Sequence, residues 1–196
     1  MKSKFSPKWS LLVLGLAGTF LAILIILNFH LPKESLNKQM AFVAEQTNIN
    51  LPTRLKIPKL NIDSSVEYVG LTSGGAMDVP QKPEDVAWYN LGPHPGELGS
   101  AVIAGHSGYK NNKPAVFDNL YKLKKGDKVY VEDSNGNKIT FVINKISSYK
   151  ENQNATDVFI SNDAQSHLNL ITCSGIWNAK EKTHSERLVV FADREI

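Results

Sequence analysis

At 196 residues, with 21% charged side chains and a formal net charge of +3, the chain has room for one core of ordinary size and an accessory segment. Part of the positive excess lies in Lys2, Lys4 and Lys8, so no broad basic surface is left and nucleic acid is excluded as an expected partner. With a single cysteine, Cys173, an internal disulfide is excluded as well.

The first segment is apolar. Nothing from Leu11 to Leu27 is charged, and residues 10–31 supply the ~20 residues that a helix needs to cross a ~30 Å hydrocarbon core. The expected order is a cytoplasmic N-terminus over 1–9, a transmembrane signal anchor over 10–31 and an extracytoplasmic stalk over 32–53. Trp9 stands at the headgroup level. Lysines before the span and few after it orient the chain with its body outside a cell membrane, crossed once. A cleaved secretory signal is the alternative, but its apolar stretch is about 7–15 residues long and ends in small residues, whereas "NFHLPKES" follows here.

In the stalk, Leu36, Met40 and Val43 share one helical face. A globular domain is expected from residue 54 to 196, where the period changes to two: Leu55 and Ile57, then Leu60 and Ile62, with Pro58 marking an edge strand or bulge between the pairs. "PEDVAWYN" reads as a helical turn or two after Pro83, and "AVFDNLYKL" spaces Val116, Leu120 and Leu123 as a helical face. Around Asn135-Gly136, "KVYVEDSNGNKITFVINKI" reads as two strands joined in a hairpin. "SAVIAGH", "LNLIT" and "ERLVVFA" are further strands. The sum is a mainly β domain with a few short helices.

Three residues stand at strand ends. Cys173 closes "LNLITC", His106 follows "SAVIAG", and Arg187 opens "RLVVFA". If the last two strands are antiparallel neighbours, Cys173 and Arg187 face each other across one rung. Alternation then puts Asn169, Ile171 and Cys173 on one face and Leu168, Leu170 and Thr172 on the other. Each residue alone has an ordinary reading: a small buried hydrophobe, a solvated loop histidine, a surface charge. Together they suit acyl transfer. A thiolate is the nucleophile, a neighbouring imidazolium raises its fraction and protonates a leaving amine, and a guanidinium, which keeps its proton, donates to a developing oxyanion.

No metal is expected. The histidines His30, His94, His106, His167 and His184 form no HExxH pair and no CxxC is present. Asp63, Asp78, Asp127 and Asp133 fall near turns without EF-hand spacing.

Taken together and in order, "AGHSG", "LITCSG" and "ERLVVFA" resemble the sortases, membrane-anchored cysteine transpeptidases of Gram-positive bacteria. The resemblance runs from about Arg54 to Ile196. It implies a closed eight-stranded β-barrel with short helices, and it carries the family's catalytic cysteine, histidine and arginine onto Cys173, His106 and Arg187. The implied reaction cleaves the Thr–Gly bond of a C-terminal Leu-Pro-any-Thr-Gly-like sorting signal. The acyl group then passes from a Cys173 thioester to an amine, with no cofactor. Implied partners are surface proteins bearing sorting signals and an amine acceptor from a peptidoglycan precursor or a pilin. The chain departs from the family strand at Asn169, where threonine is frequent, and its compact body resembles the smaller classes D, E and F.

The 174–186 segment corresponds to a loop that walls the sortase groove, which makes Trp177 a candidate for substrate binding; the resemblance adds the backbone near Thr172, which with Arg187 would steady the oxyanion and position the substrate. His184 on that loop is a rival to His106 for the acid role; a strand end holds His106 more rigidly. Two other readings stand beside the transpeptidase. One is a noncatalytic, membrane-tethered barrel that binds peptide or cell wall. The other is an L,D-transpeptidase, whose Ser-x-Gly-Cys order is absent here.

Overall fold

The computed structural model describes residues 51–110, 113–180 and 183–196. The expected cytoplasmic N-terminus, membrane span and most of the stalk lie outside the described residues. Among those described, no helix is long and apolar enough to cross a membrane.

The elements are, in chain order, β1 (Pro52–Ile57), β2 (Ile62–Val69), β3 (Val86–Tyr89), β4 (Gly99–Gly105), β5 (Tyr109–Lys110), β6 (Lys113–Pro114), β7 (Lys128–Asp133), β8 (Lys138–Lys150), helix α1 (Thr156–Phe159), β9 (Ser166–Asn178) and β10 (Thr183–Arg194). Eight strands close into a barrel in the order β1-β2-β3-β4-β9-β10-β8-β7, and β5 pairs only with β6. Within the barrel β2 and β3 run parallel, as do β4 and β9; the remaining neighbours are antiparallel. Closure leaves the barrel without a free edge to pair with another chain.

Inward-facing residues fill the interior. Leu55, Ile57, Trp88, Ile103, Phe117, Leu120, Phe141, Ile143, Leu168, Leu170 and Val190 form one buried cluster. A second cluster lies on the outer face, where Val102, Tyr149, Val158 and Val189 are buried with Met77, Tyr89, Phe159 and Ile171 packed against them. Because α1 and the β2–β3 connection cover the outer face of β4, β9 and β10, these strands are apolar on both sides. This is why "SAVIAG" reads as a continuous apolar run and not as an alternation.

Three local expectations are corrected. Pro58 marks neither an edge strand nor a bulge: it opens a 3₁₀ turn, Pro58–Leu60. Asn61 at φ 54° closes that turn with its N–H on the Pro58 carbonyl, so β1 and β2 form a hairpin ending at Ile57 opposite Ile62. "PEDVAWYN" is not helical. Val86, Ala87 and Trp88 are fully buried in β3 between β2 and β4, and this long-range pairing of β-branched and aromatic residues outweighs a helical pattern too short to nucleate. In "AVFDNLYKL" the large buried side chains are Phe117, Leu120 and Leu123, spaced by three. That is the 3₁₀ period, and the regular piece is the turn Leu120–Lys122.

Candidate active site

β9 and β10 are paired in a register that places Arg187 opposite Cys173, Leu188 opposite Thr172 and Val189 opposite Ile171. The odd residues Asn169, Ile171 and Cys173 share the outer face, while Leu168 and Leu170 point into the barrel core. Cys173 is a free, half-buried thiol at the point where β9 leaves the packed part of the sheet.

Two hydrogen bonds tie the end of β4 to β9 on either side of His106. Thr172 Oγ1 donates to the Gly105 carbonyl at 2.7 Å, and Ser107 Oγ donates to the Cys173 carbonyl at 2.7 Å. His106 thus sits between two residues that are each stitched to the Thr172-Cys173 pair. Its own carbonyl accepts from Phe117 N–H at 2.9 Å, and its ring Nε2 lies 2.7 Å from the Pro80 carbonyl oxygen. Gly105 is required by close approach, because a Cβ there would collide with the Phe117 ring. Gly108 N–H is held by Asp118 Oδ1 at 2.9 Å. Beside the histidine lies a cavity of about 140 Å³ lined by Pro83, His106, Ser107, Gly108, Tyr109 and Ala115.

The Arg187 guanidinium is turned along its own strand. Nη1 donates to the carbonyls of His184 and Glu186, both at 2.9 Å, and Nη2 donates to Thr183 Oγ1 at 3.1 Å. These bonds brace a bulge, where the register shifts between His184 and Glu186 and Gly175 and Ile176 of β9 oppose the single residue Ser185. Gly175 has φ 76°, a left-handed conformation suited to glycine, and a Cβ on it would also collide with Ser185 Oγ. Ile176 N–H donates to the same Ser185 Oγ at 3.0 Å.

The segment read as a 174–186 loop is therefore mostly paired strand. β9 continues to Asn178 and β10 starts at Thr183, with His184 opposite Trp177 and their rings edge to face at 5.1 Å. His184 is held in a β-ribbon and not on a mobile loop, because the bulge lets pairing resume beyond Ser185. Trp177 and Ile176 are exposed, at 53% and 80%. Thr172 is buried, and its hydroxyl is spent on the Gly105 carbonyl. Its side chain therefore holds the scaffold together on the face opposite Cys173.

Sequence reasoning missed Ser107, Phe117, Pro80 and the bulge. Ser107 lies inside the quoted "AGHSG", and its hydroxyl next to a candidate acid was the available signal. Nothing local marks Pro80, which reaches the site from the β2–β3 connection. Ser174 Oγ, next to the thiol, is buried and has no hydrogen-bond partner. Two larger clefts, of about 540 and 290 Å³, share Lys145 and Asp157 as lining residues and are not lined by Cys173, His106 or Arg187. Among the described residues, no three His, Cys, Asp or Glu side chains gather as a metal site.

Comparison with known proteins agrees with this fold. The family model of the Sortase domain matches residues 55–195. Sortase C-1 from Actinomyces oris (formerly Actinomyces naeslundii) superposes with a TM-score of 0.59 at 25% identity, covering 81% of this chain and 81% of that one. Sortase C1 from Streptococcus agalactiae superposes with a TM-score of 0.58 at 23% identity, over 74% of this chain and 67% of that one. Sortase A from Corynebacterium diphtheriae does so at 0.59 and 23%, over 74% and 61%. At those lower identities the likeness speaks to the fold. No curated protein matches the chain.

Proposed function

Because this chain belongs to the sortase family, whose members are transpeptidases, we propose that it cleaves a Leu-Pro-any-Thr-Gly-like sorting signal and joins the acyl part to an amine through a thioester on Cys173. The observation that carries this reading is the convergence of three strands on one point. The β9–β10 register sets Arg187 across from Cys173, and the Thr172–Gly105 and Ser107–Cys173 bonds clamp His106 beside them.

In the first half-reaction the Cys173 thiolate attacks the threonine carbonyl carbon, and the oxygen takes up the negative charge. The C–N bond then breaks and the glycine amine leaves with a proton from the His106 imidazolium. In the second, an incoming amine attacks the thioester, its proton passes to His106, and the C–S bond breaks to restore the thiolate. Every step is acyl or proton transfer, so no cofactor enters. Arg187 is suited to the oxyanion because a guanidinium offers positive charge and several N–H donors in one plane. In the resting arrangement its Nη donors hold backbone carbonyls of the bulge, so this role requires the substrate oxygen to compete for them.

Trp177, exposed on the ribbon beyond Cys173, offers an aromatic wall for the bound peptide. The uncharged stretch before the domain, preceded by three lysines, supports a single-pass anchor with the barrel outside the cell. There, sorting signals of surface proteins and a peptidoglycan-precursor or pilin amine would meet it. The test is to incubate the full chain with peptides carrying sorting-like motifs and an amine acceptor, and to follow cleavage and ligation by chromatography. Ligated product that disappears with Cys173→Ala supports the proposal. Peptide binding without cleavage, unaffected by Cys173→Ala, points to a binding module instead.

A further inference from the structure

The peptide unit joining Pro80 to Gln81 faces the candidate histidine on one side and a carboxylate on the other. Its carbonyl oxygen, on Pro80, lies 2.7 Å from His106 Nε2. Its N–H, on Gln81, donates to the Glu67 carboxylate, at 3.0 Å to Oε2 and 3.3 Å to Oε1. In a trans peptide the C=O and N–H point in opposite directions, so a single amide plane is held at both ends. Glu67 lies on β2, outside the Cys173 surroundings, and the unit is fixed from both flanks. Asp78 N–H donates to the Gly70 carbonyl at 3.0 Å, and the Pro83 carbonyl accepts from Val116 N–H at 2.8 Å. Pro80 itself is buried.

Resting on the transpeptidase reading above, we infer that Glu67, acting through the Pro80–Gln81 peptide, is a positioning residue for His106: the carbonyl fixes the ring tautomer, and the carboxylate strengthens the carbonyl as an acceptor. A carbonyl has no proton to give, so Nε2 must carry the hydrogen of this bond. A neutral imidazole has one N–H, which leaves the lone pair on Nδ1. Nδ1 is then the atom that takes the proton from the incoming amine and returns it to the leaving one, while Nε2–H stays on Pro80 throughout. A carboxylate bonded to the N–H polarises the amide and makes its oxygen a better acceptor, which strengthens the Nε2–H bond that holds the ring. Here a peptide group and a remote glutamate do what a direct carboxylate does for histidine in other acyl-transfer sites. The other titratable groups close to the ring are Tyr109, in the same small cavity, Asp118 on the Gly108 N–H, and Cys173, reached through Ser107.

The test uses the full chain with 15N-labelled histidine, with His106→Gln identifying the signal among the five histidines. In the wild type, NMR should show His106 as the Nε2–H tautomer. Glu67→Gln keeps an acceptor for Gln81 but removes the charge. It should retain the tautomer and reduce kcat about threefold with KM unchanged. Glu67→Ala should lose tautomer uniformity as well. An Nδ1–H tautomer in the wild type, or a Glu67→Gln protein with the wild-type kcat, would overturn the relay. The tautomer is read without turnover, so a failure of the Cys173 chemistry is distinguishable from a failure of this inference.

Discussion

The two halves of β9 do different work although they belong to one continuous strand. From Ser166 to Cys173 it is packed on both faces, with Leu168 and Leu170 in the barrel and Asn169 and Ile171 under α1 and the β2–β3 connection. From Ser174 to Asn178 it leaves the barrel with only β10 beside it, and Ile176 and Trp177 lie open to solvent. Cys173 sits at the change. Such a place would suit the proposed nucleophile, since the rigid half fixes its position and the emergent half is open to solvent. The Gly175 bulge separates the two, and Arg187 spans it.

Substitutions on either side of the boundary should therefore differ in kind. The largest effect is expected at the boundary itself: Cys173→Ala should lower ligation by about 10³-fold or more while leaving the melting curve unchanged. On the rigid side, Thr172→Val keeps the shape but leaves the buried Gly105 carbonyl without its donor. Urea unfolding should show a loss of about 1–3 kcal/mol, and kcat should fall because the clamp on His106 loosens. If stability drops and kcat does not, the two stitches do not govern the histidine.

On the emergent side the effects should shift from stability to substrate handling. Gly175→Ala places a side chain at φ 76° against Ser185 and should cost about 1 kcal/mol or more. Hydrogen exchange should rise in residues 174–186 and not in 166–172. Trp177→Ala, at an exposed position, should raise the KM for peptide several-fold with stability unchanged to within about 0.5 kcal/mol. An unaltered KM would make the tryptophan a partner of His184 only.

The smallest effect belongs to the far end of the rigid half. His167 has Nδ1 2.8 Å from Asp193 and Nε2 2.9 Å from Asp163, and only an imidazolium donates from both nitrogens. Burial disfavours its charge, but the hydrogen bonds to Asp163 and Asp193 outweigh this and raise its pKa above the ordinary 6.5. The stability it contributes is complete below that value and is lost as pH rises through the raised one. Unfolding measured from pH 6 upward should thus weaken more steeply in the wild type than in His167→Gln. Equal slopes would remove the charged bridge.

The boundary in β9 also marks how far the sequence could be read. The "LNLITC" and "ERLVVFA" stretches announced two strands, and period-two alternation assigned Leu168 and Leu170 to one face and Cys173 to the other, because side-chain direction is a local property. The barrel and its eight strands came from resemblance, since strand order is set by contacts far apart in sequence. Short, non-local pieces were misread for the same reason: β3 is a strand only because β2 and β4 flank it. The bulge escaped notice because Gly175 alone does not say which residue it opposes. The Pro80–Gln81 peptide could not be seen at all, because nothing in "DVPQKP" indicates that it folds back onto a histidine 26 residues later.

In the proposed reaction Cys173 carries the acyl group. The most direct measurement traps the full chain with a sorting-signal peptide in the absence of acceptor and maps the adduct by mass spectrometry. The expected result is a hydroxylamine-labile mass on the Cys173 peptide, equal to the acyl fragment up to threonine, which is discharged onto an added amine as ligated product appears. Peptide cleavage that proceeds with Cys173 unmodified, or that persists in Cys173→Ala, would contradict it.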